Sequence, residues 1–311
     1  MSSPISRTMS VTEWGLLVSL SILWGGSYFS NAVALAHLPP LTLVAARVLI
    51  AAALLYLVVR MTGKTMPVGR RVWAAFVAIA LLNNVIPFNL IAWGQTQIPS
   101  GLASILNATT PFFTVLAAHL FTRDEKLTAG RLLGVLIGFG GVVAMIGADA
   151  LVDTATGHIL GQFALLGAAF SYALSAVFAR RFAQAGVAPL TAATGQFAAA
   201  ALILTPLALV VDQPWLLPAP GPAALGAVFF LAAFSSCLAY IIYYRILATA
   251  GAVNLMLVTL LVPVTAVLLG TFVLGERLAL HQLVGMAAIG LGLAVIDGRP
   301  LATLRRRMRM A

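Results

Sequence analysis

The chain has 311 residues, of which 61% are hydrophobic and only 8% are charged, whereas soluble domains carry about 25% charged residues. That composition excludes an ordinary water-soluble globule. The formal net charge is +10, but the cations are scattered between long apolar stretches, which argues against nucleic-acid binding. The single cysteine, Cys237, excludes an intrachain disulfide and a cysteine-based metal site. The sequence therefore predicts a polytopic membrane protein.

Apolar stretches of the length that crosses a bilayer, about 20 residues, follow one another along the chain with short connections. They cover residues 13–33, 41–60, 72–93, 98–121, 128–147, 159–180, 189–211, 223–245, 252–274 and 278–297. Helices satisfy their own backbone hydrogen bonds in hydrocarbon, and the alternating pattern of barrel strands is absent. We therefore predict an all-α integral membrane protein with ten transmembrane helices.

The orientation follows from the lysines and arginines of the connections, which concentrate on the cytoplasmic side of bacterial membranes. With a cytoplasmic N-terminus, every lysine and arginine except Arg47 and Arg277 falls on the inner side. A cleaved signal peptide is disfavoured, because the first apolar stretch is too long and its removal would invert every later connection. We expect a multi-pass protein of the bacterial cytoplasmic (inner) membrane with both termini cytoplasmic.

The two halves of the chain resemble each other at an offset of about 150 residues. The shared features are Pro-Leu-Thr at 40–42 and 189–191, Pro111 and Pro263, and the Glu-Lys-Leu and Glu-Arg-Leu turns at 125–127 and 276–278. Each unit holds five helices, and because five is odd the second unit must be inverted. Inverted repeats are typical of secondary transporters, which hold substrate near the midplane.

The domain organisation follows from this duplication. We predict a first five-helix repeat at 13–147 and a second, inverted repeat at 159–297, joined by a periplasmic linker at 148–158. A cytoplasmic tail at 1–12 precedes them, and a basic cytoplasmic tail at 298–311 follows.

Several of these residues carry a resemblance to a known family. Trp24-Gly25 in helix 1, Arg47 in helix 2, the paired prolines and the two Glu-Lys/Arg-Leu turns resemble the EamA repeats of the drug/metabolite transporter superfamily. Within that superfamily the sequence is most similar to bacterial YddG-type exporters of aromatic amino acids. The resemblance implies an inner-membrane transporter with a central cavity that works by alternating access.

Polar and aromatic side chains near the membrane midplane are candidate substrate contacts, because a polar group there is costly without partners or water. The predicted substrate contacts are Trp24, Tyr28, Asn83, Asn84, Asn107, Thr110, Tyr172, Ser235, Ser236, Tyr240 and Thr259. The predicted gating or kink residues are Gly25, Pro87, Pro111 and Pro263. Pro111 and Pro263 would free the carbonyls of Asn107 and Thr259 for a substrate ammonium or a water. Simple structural kinks and aromatic packing are the alternatives.

Arg47 lies about seven residues into helix 2, roughly 10 Å below the outer surface. Three roles are open to it: reaching outward to the interface, pairing with Glu276, or contacting a substrate carboxylate. Its counterpart in the second repeat is Gln196, so the charge is not part of the shared scaffold.

The residue types missing from the spans also restrict the function. All eight acids lie in connections or at helix ends, which favours an uncoupled facilitator over a proton relay. No lysine lies within a span, which disfavours phosphate-bearing substrates. The histidines lie near helix ends and far apart, without metal-binding spacing; they are His37, His119, His158 and His281. No nucleophile elbow is present, so an enzyme, a metal site and a cofactor are not expected.

The sequence therefore predicts an exporter of small neutral or zwitterionic metabolites, including aromatic amino acids. A proton-coupled drug/metabolite exporter and a permanently open small-solute channel are the alternatives. The expected partners are the substrate and the lipid bilayer, without nucleic acid. Glycines repeat in helices 5 and 10, where we expect them to serve packing within the fold. A homodimer through these helices is the weaker alternative, so we expect a monomer or a weak homodimer.

Overall fold

The computed structural model describes residues 9–122, 125–146, 159–274 and 280–297, and in these ranges all regular secondary structure is helical. The predicted linker at 148–158 and the basic tail at 298–311 lie outside the described residues. Helix 1 begins at Val11, so the predicted N-terminal tail at 1–12 ends two residues earlier than expected.

The first repeat contains five membrane-spanning helices. They are α1 (Val11–Leu35), α2 (Pro40–Met61), α3 (Arg70–Ala80, Leu81–Val85 and Ile86–Gln95), α4 (Ser100–Asn107 and Thr110–Phe121) and α5 (Ala129–Ile146). A capping box begins α1: the Ser10 hydroxyl accepts from the Glu13 backbone N–H, and the Glu13 carboxylate accepts from the Ser10 N–H. Proline at the first position begins α2, where its missing N–H costs nothing.

The second repeat follows the same plan. Its helices are α6 (Ile159–Gln184), α7 (Pro189–Val211), α8 (Pro222–Ala232, Ala233–Leu238 and Ala239–Met256), α9 (Val258–Leu274) and α10 (Leu280–Asp297), with a 3₁₀ turn at Pro214–Leu216. The stretch at Ala239–Met256 joins two helices across a kink at Gly251, whose φ of 84° favours glycine. The part after Gly251 leads into α9, which agrees with the predicted beginning of helix 9 at residue 252.

By length and composition, seven helical stretches could cross a membrane unaided: α1, α2, α3, α4, α6, α7 and α8. Shorter apolar helices at Ala129–Ala144 and Leu283–Ile296 belong to α5 and α10, and α9 completes the set of ten. The predicted fold class, ten helices in two inverted repeats, is confirmed.

The packing of the helices follows the inverted duplication. Helix α1 of the first repeat packs against α8 and α9 of the second, and α6 of the second repeat packs against α3 and α4 of the first. The helices α2 and α7 pair with each other, as do α5 and α10. These contacts therefore have counterparts in the other half, and the two repeats meet along them.

Both α3 and α8 contain a π-helical segment, Leu81–Val85 and Ala233–Leu238. Position 233 follows position 81 by 152 residues, the same offset that relates Pro111 to Pro263. The Asn83-Asn84 and Ser235-Ser236 pairs lie inside these segments. A π-helical segment widens the helix and changes its hydrogen-bonding register, and such segments are frequent at functional sites.

The glycines of α5 and α10 serve packing within the chain. A Cβ on Gly134 would lie 2.6 Å from the carbonyl oxygen of Gly292, and one on Gly141 would lie 2.7 Å from that of Gly285. Small residues at such positions let two helix backbones approach closely. The homodimer alternative stays a prediction.

We expect Gly141→Ala to destabilise the fold, because the added methyl group would overlap the α10 backbone. Overpacking of this kind costs about 1–3 kcal/mol, so the Tm of the protein in detergent should fall by several degrees. The adjacent Gly140→Ala is the matched control, since nothing lies within 4 Å of a Cβ there. Equal Tm values for the two variants would contradict this account of the α5–α10 interface.

Candidate functional site

A cavity with an empty volume of about 600 Å³, including its mouth, lies among α1, α2, α3, α4, α6, α8 and α9. The predicted residues that line it are Trp24, Tyr28, Arg47, Asn107, Tyr172, Tyr240 and Thr259. Sequence reasoning missed the others, which are Ser27, Asn31, Phe88, Ile91, Met256 and Val262. Its lining runs from Trp24 to Asn31 on α1 and from Phe88 to Ile91 on α3, in the halves of these helices nearer the ends predicted to face outward.

The remaining predicted contacts lie behind the cavity wall. Asn83, Asn84, Thr110, Ser235 and Ser236 are all buried and do not line the cavity. Apart from Thr110, whose hydroxyl donates within α4, they connect the helices that form the wall, and their role as direct substrate contacts stays a prediction.

The π-helical segment of α8 is held by α1 and α2. The Trp24 indole N–H donates to the Ser235 carbonyl at 3.1 Å, and the Ser235 hydroxyl donates to the Leu23 carbonyl at 2.8 Å. The Arg47 Nε donates to the Ser236 hydroxyl oxygen at 2.8 Å. These bonds satisfy polar groups of an irregular helix segment inside the membrane, where unpaired groups cost several kcal/mol.

The π-helical segment of α3 is held in the corresponding way by α6 and α7. The Ser171 hydroxyl donates to the Leu82 carbonyl at 2.7 Å, and the Gln196 side-chain amide donates to Asn84 Oδ1. The Tyr244 hydroxyl donates to Gln196 Oε1. Gln196 therefore contacts Asn84 as Arg47 contacts Ser236, and both pairs are related by the inverted repeat.

The carbonyls freed by proline accept hydroxyl groups of this chain. Pro87 frees the Asn83 carbonyl, which accepts from the Tyr240 hydroxyl at 3.3 Å. Pro111 frees the Asn107 carbonyl, which accepts from the Thr110 hydroxyl at 2.6 Å. Thr110, three residues after Asn107, therefore occupies one of the two acceptor positions of this carbonyl, and a contact of the carbonyl with a substrate ammonium stays a prediction.

The kink residues lie where α3, α4 and α9 change geometry. Pro87 is the second residue after the π-helical segment, Pro111 is the second residue after the interruption of α4, and Pro263 lies inside α9. Gly25 is buried in α1 beside Trp24. Their gating role stays a prediction.

Arg47 is the only charged residue among those that line the cavity. Only 7% of it is exposed, so it does not reach outward to the interface as one prediction had it. Its guanidinium carbon lies 4.0 Å from the centroid of the Phe88 ring, a cation–π contact that is strongest away from water. Glu276, the predicted ion-pair partner, lies outside the described residues.

Aromatic rings form much of the remaining wall. The Trp24 and Tyr240 rings lie 6.0 Å apart, and the Phe88 and Tyr240 rings meet edge to face at 6.4 Å. At these separations and angles the rings expose both faces and edges to a molecule in the cavity. The cavity therefore combines one buried cation with aromatic surfaces.

Glu125, which the sequence places in the connection between α4 and α5, is buried at the predicted inner side of the bundle. Its carboxylate pairs with Arg180 of α6 at 2.7 Å, and both side chains are 4% exposed. The same carboxylate accepts from the backbone N–H groups of Ala252 and Val253, at 3.4 and 3.3 Å, just after the Gly251 turn. Glu125 thus joins the α4–α5 connection, α6 and the chain leading into α9.

Burial raises the pKa of Glu125 above its ordinary value of 4.5, although Arg180 and the two backbone N–H groups lower it. A carboxylic acid with a raised pKa becomes protonated at a higher pH than a free one. Acidification therefore weakens this contact before it affects ordinary surface carboxylates.

Comparison with known proteins places the whole described bundle in a family. A model of the EamA-like transporter family matches residues 13–147 and 159–297. The uncharacterized inner membrane transporter YedA of Escherichia coli (strain K12) is 27% identical over 278 residues, 89% of this chain and 87% of YedA. PagO of Salmonella typhimurium is 25% identical over 294 residues, 92% of each chain.

More distant similarity extends the same result. The uncharacterized transporter YoaV of Bacillus subtilis is 22% identical over 89% of this chain and 94% of YoaV. A crystal structure with 20% sequence identity superposes with a TM-score of 0.73 over 94% of this chain and 98% of its own. At that identity the superposition supports the fold alone.

Proposed function

This chain belongs to the EamA-like transporter family, and we propose that it exports zwitterionic or neutral metabolites, among them aromatic amino acids, across a bacterial inner membrane. The resemblance to EamA repeats is confirmed, and the relatives named as transporters make the chain a membrane transporter of small molecules rather than an enzyme. The substrate class, the direction and the mechanism are our proposal. The observation that carries it is the buried Arg47 in an aromatic cavity.

Arg47 supplies the contact for a substrate carboxylate. Its Nε is engaged by Ser236, while the two terminal nitrogens, which carry the other four N–H donors, make no hydrogen bond among the described residues. A carboxylate accepts two parallel hydrogen bonds from a guanidinium. No acidic side chain lines the cavity to compete for this cation.

The aromatic walls suit an apolar or aromatic substrate side chain. Trp24, Tyr28, Phe88, Tyr172 and Tyr240 all line the cavity. Rings of this kind stack on an aromatic side chain or contact it edge to face. The hydroxyls of the tyrosines and the amides of Asn31 and Asn107 supply neutral partners for an amino group. This combination supports the YddG-type substrate class over phosphate esters.

Alternating access is supported by the unequal closure of the two sides. The cavity extends toward the predicted outer side, whereas the predicted inner side is filled by buried groups such as Tyr243, Tyr244 and the Glu125–Arg180 pair. Because the repeats are inverted copies, exchange of their two arrangements would open the inner side and close the outer one. Among the residues that the structure describes, no acid lines the cavity to carry a proton, which supports an uncoupled facilitator.

Transport in proteoliposomes tests the proposal as a whole. We expect saturable uptake of tryptophan and phenylalanine, with the same initial rate with and without a pH gradient. A strict requirement for the gradient would favour the proton-coupled alternative. A steady, non-saturating conductance would favour an open channel, and no saturable uptake of any amino acid would refute the substrate assignment.

Substitution of Arg47 tests the carboxylate contact. We expect Arg47→Gln to lower kcat/KM for phenylalanine by roughly tenfold to a hundredfold, because a hydrogen bond to a charged group contributes about 1.5–3 kcal/mol. Inhibition by phenylalaninamide, which has no carboxylate, should change little. Arg60→Gln, at an exposed cation near the end of α2, is the control. Equal losses for the acid and the amide would show that Arg47 only supports the wall.

Substitution of Glu125 tests the closure of the inner side. In a Cys237→Ser background, Ser175→Cys places a single thiol at a buried position of α6. We expect Glu125→Gln to increase its labelling by a soluble maleimide several-fold, because the ion pair with Arg180 is lost. Lys126→Gln, at an exposed neighbour, should leave labelling unchanged. Acid should raise labelling with Glu125 in place, from a pH above 4.5, and not in the Gln variant.

A further inference from the structure

A second cavity lies on the outside of the bundle, between the first part of α3 and the end of α6, and shares no lining residue with the first. Its empty volume is about 1000 Å³, including its open side. This cavity, called the α3–α6 groove below, has no role in the transport proposal.

The groove exists because α3 changes neighbours at its π-helical segment. The part of α3 at Ile86–Gln95 packs along α6, whereas the part at Arg70–Ala80 packs against α7 instead. A π-helical segment is a recognised cause of such a change in helix direction. Below the segment, α3 and α6 diverge, and the space between them opens toward the lipid.

The walls of the groove are apolar along the membrane and basic at one end. Ala75, Ala78 and Leu82 line it from α3, and Phe178 and Phe182 line it from α6. From Arg71 to Leu82 the helix rises about 16 Å, at 1.5 Å per residue. That length equals about half of a hydrocarbon core of roughly 30 Å, so the groove spans one leaflet.

Arg71 and Arg181 line the groove near the beginning of α3 and the end of α6, where we expect the lipid headgroups to lie. Both are exposed, and neither pairs with a carboxylate among the described residues. The Arg181 guanidinium carbon lies 4.8 Å from the centroid of the Phe178 ring, which directs the charge over the groove. The adjacent Arg180 differs, because Glu125 neutralises it.

We propose that the α3–α6 groove binds an anionic glycerophospholipid, with its phosphodiester between Arg71 and Arg181 and an acyl chain along the apolar walls. Guanidinium groups bind phosphate oxygens through paired hydrogen bonds. Basic pockets between membrane helices hold anionic headgroups, at about 1 kcal/mol for each cation near the surface. The groove provides both parts of such a ligand with a matching surface at the matching depth.

Native mass spectrometry of the full-length protein, released from micelles containing a defined lipid, tests this proposal. We expect phosphatidylglycerol to be retained in preference to phosphatidylethanolamine. Arg71→Gln with Arg181→Gln should lower the retained phosphatidylglycerol by at least about fivefold, the factor that corresponds to roughly 1 kcal/mol. Arg70→Gln, at an exposed arginine beside the groove, should leave retention unchanged.

A bulky side chain placed in the groove tests the contact with the acyl chain independently of the charge of the two arginines. Ala78→Trp should lower phosphatidylglycerol retention with both arginines intact, while Ala74→Trp, on an exposed position of the same helix outside the groove, should not. Soluble glycerol 3-phosphate should not compete at concentrations where the lipid binds. Equal retention of the two lipids, insensitivity to both substitutions, or full competition by glycerol 3-phosphate would each overturn the proposal.

Discussion

The structure depends on how two irregular helix segments satisfy their hydrogen bonds inside a membrane. A π-helical segment disrupts the regular pairing of backbone groups, and hydrocarbon offers no water to these groups or to the polar side chains beside them. In α8 these groups are met by Trp24 and Arg47, and in α3 by Ser171 and Gln196. Because the partners come from other helices, the bonds that satisfy each segment also join α1 and α2 to α8, and α6 and α7 to α3. The cavity lies between these connections.

The spans, their number and the inverted duplication could be predicted, because bilayer thickness and the need to pair every backbone group leave few alternatives. The orientation of the polar side chains could not be predicted from the sequence. Helices that are apolar all round give no amphipathic signal, so nothing local shows that Tyr240 faces the cavity while Asn84 lies behind its wall. The burial of Glu125 was still harder to predict, because it depends on a contact with Val253, which lies 128 residues away in the sequence.

The prolines show how local chemistry changes a prediction that is sound in principle. Proline does free a carbonyl four residues before it, and at Pro87 and Pro111 that carbonyl exists. The nearest available hydroxyl, from Tyr240 or Thr110, occupies it. A buried acceptor rarely stays unpaired when a donor is within reach. The broken helices therefore lie beside the cavity, and these two freed carbonyls are paired within the chain.

The difference between Arg47 and Gln196 explains why two similar halves form one cavity. Both residues contact the π-helical segment of the opposite repeat. Gln196 is neutral, and Asn84 and Tyr244 satisfy it in a fully buried network. Arg47 carries a charge that Ser236 and the Phe88 ring offset only in part, and a buried cation without a counter-ion is expensive. Water or an anionic group lowers that cost, which accounts for a cavity beside Arg47, whereas the corresponding region around Gln196 is filled by buried side chains.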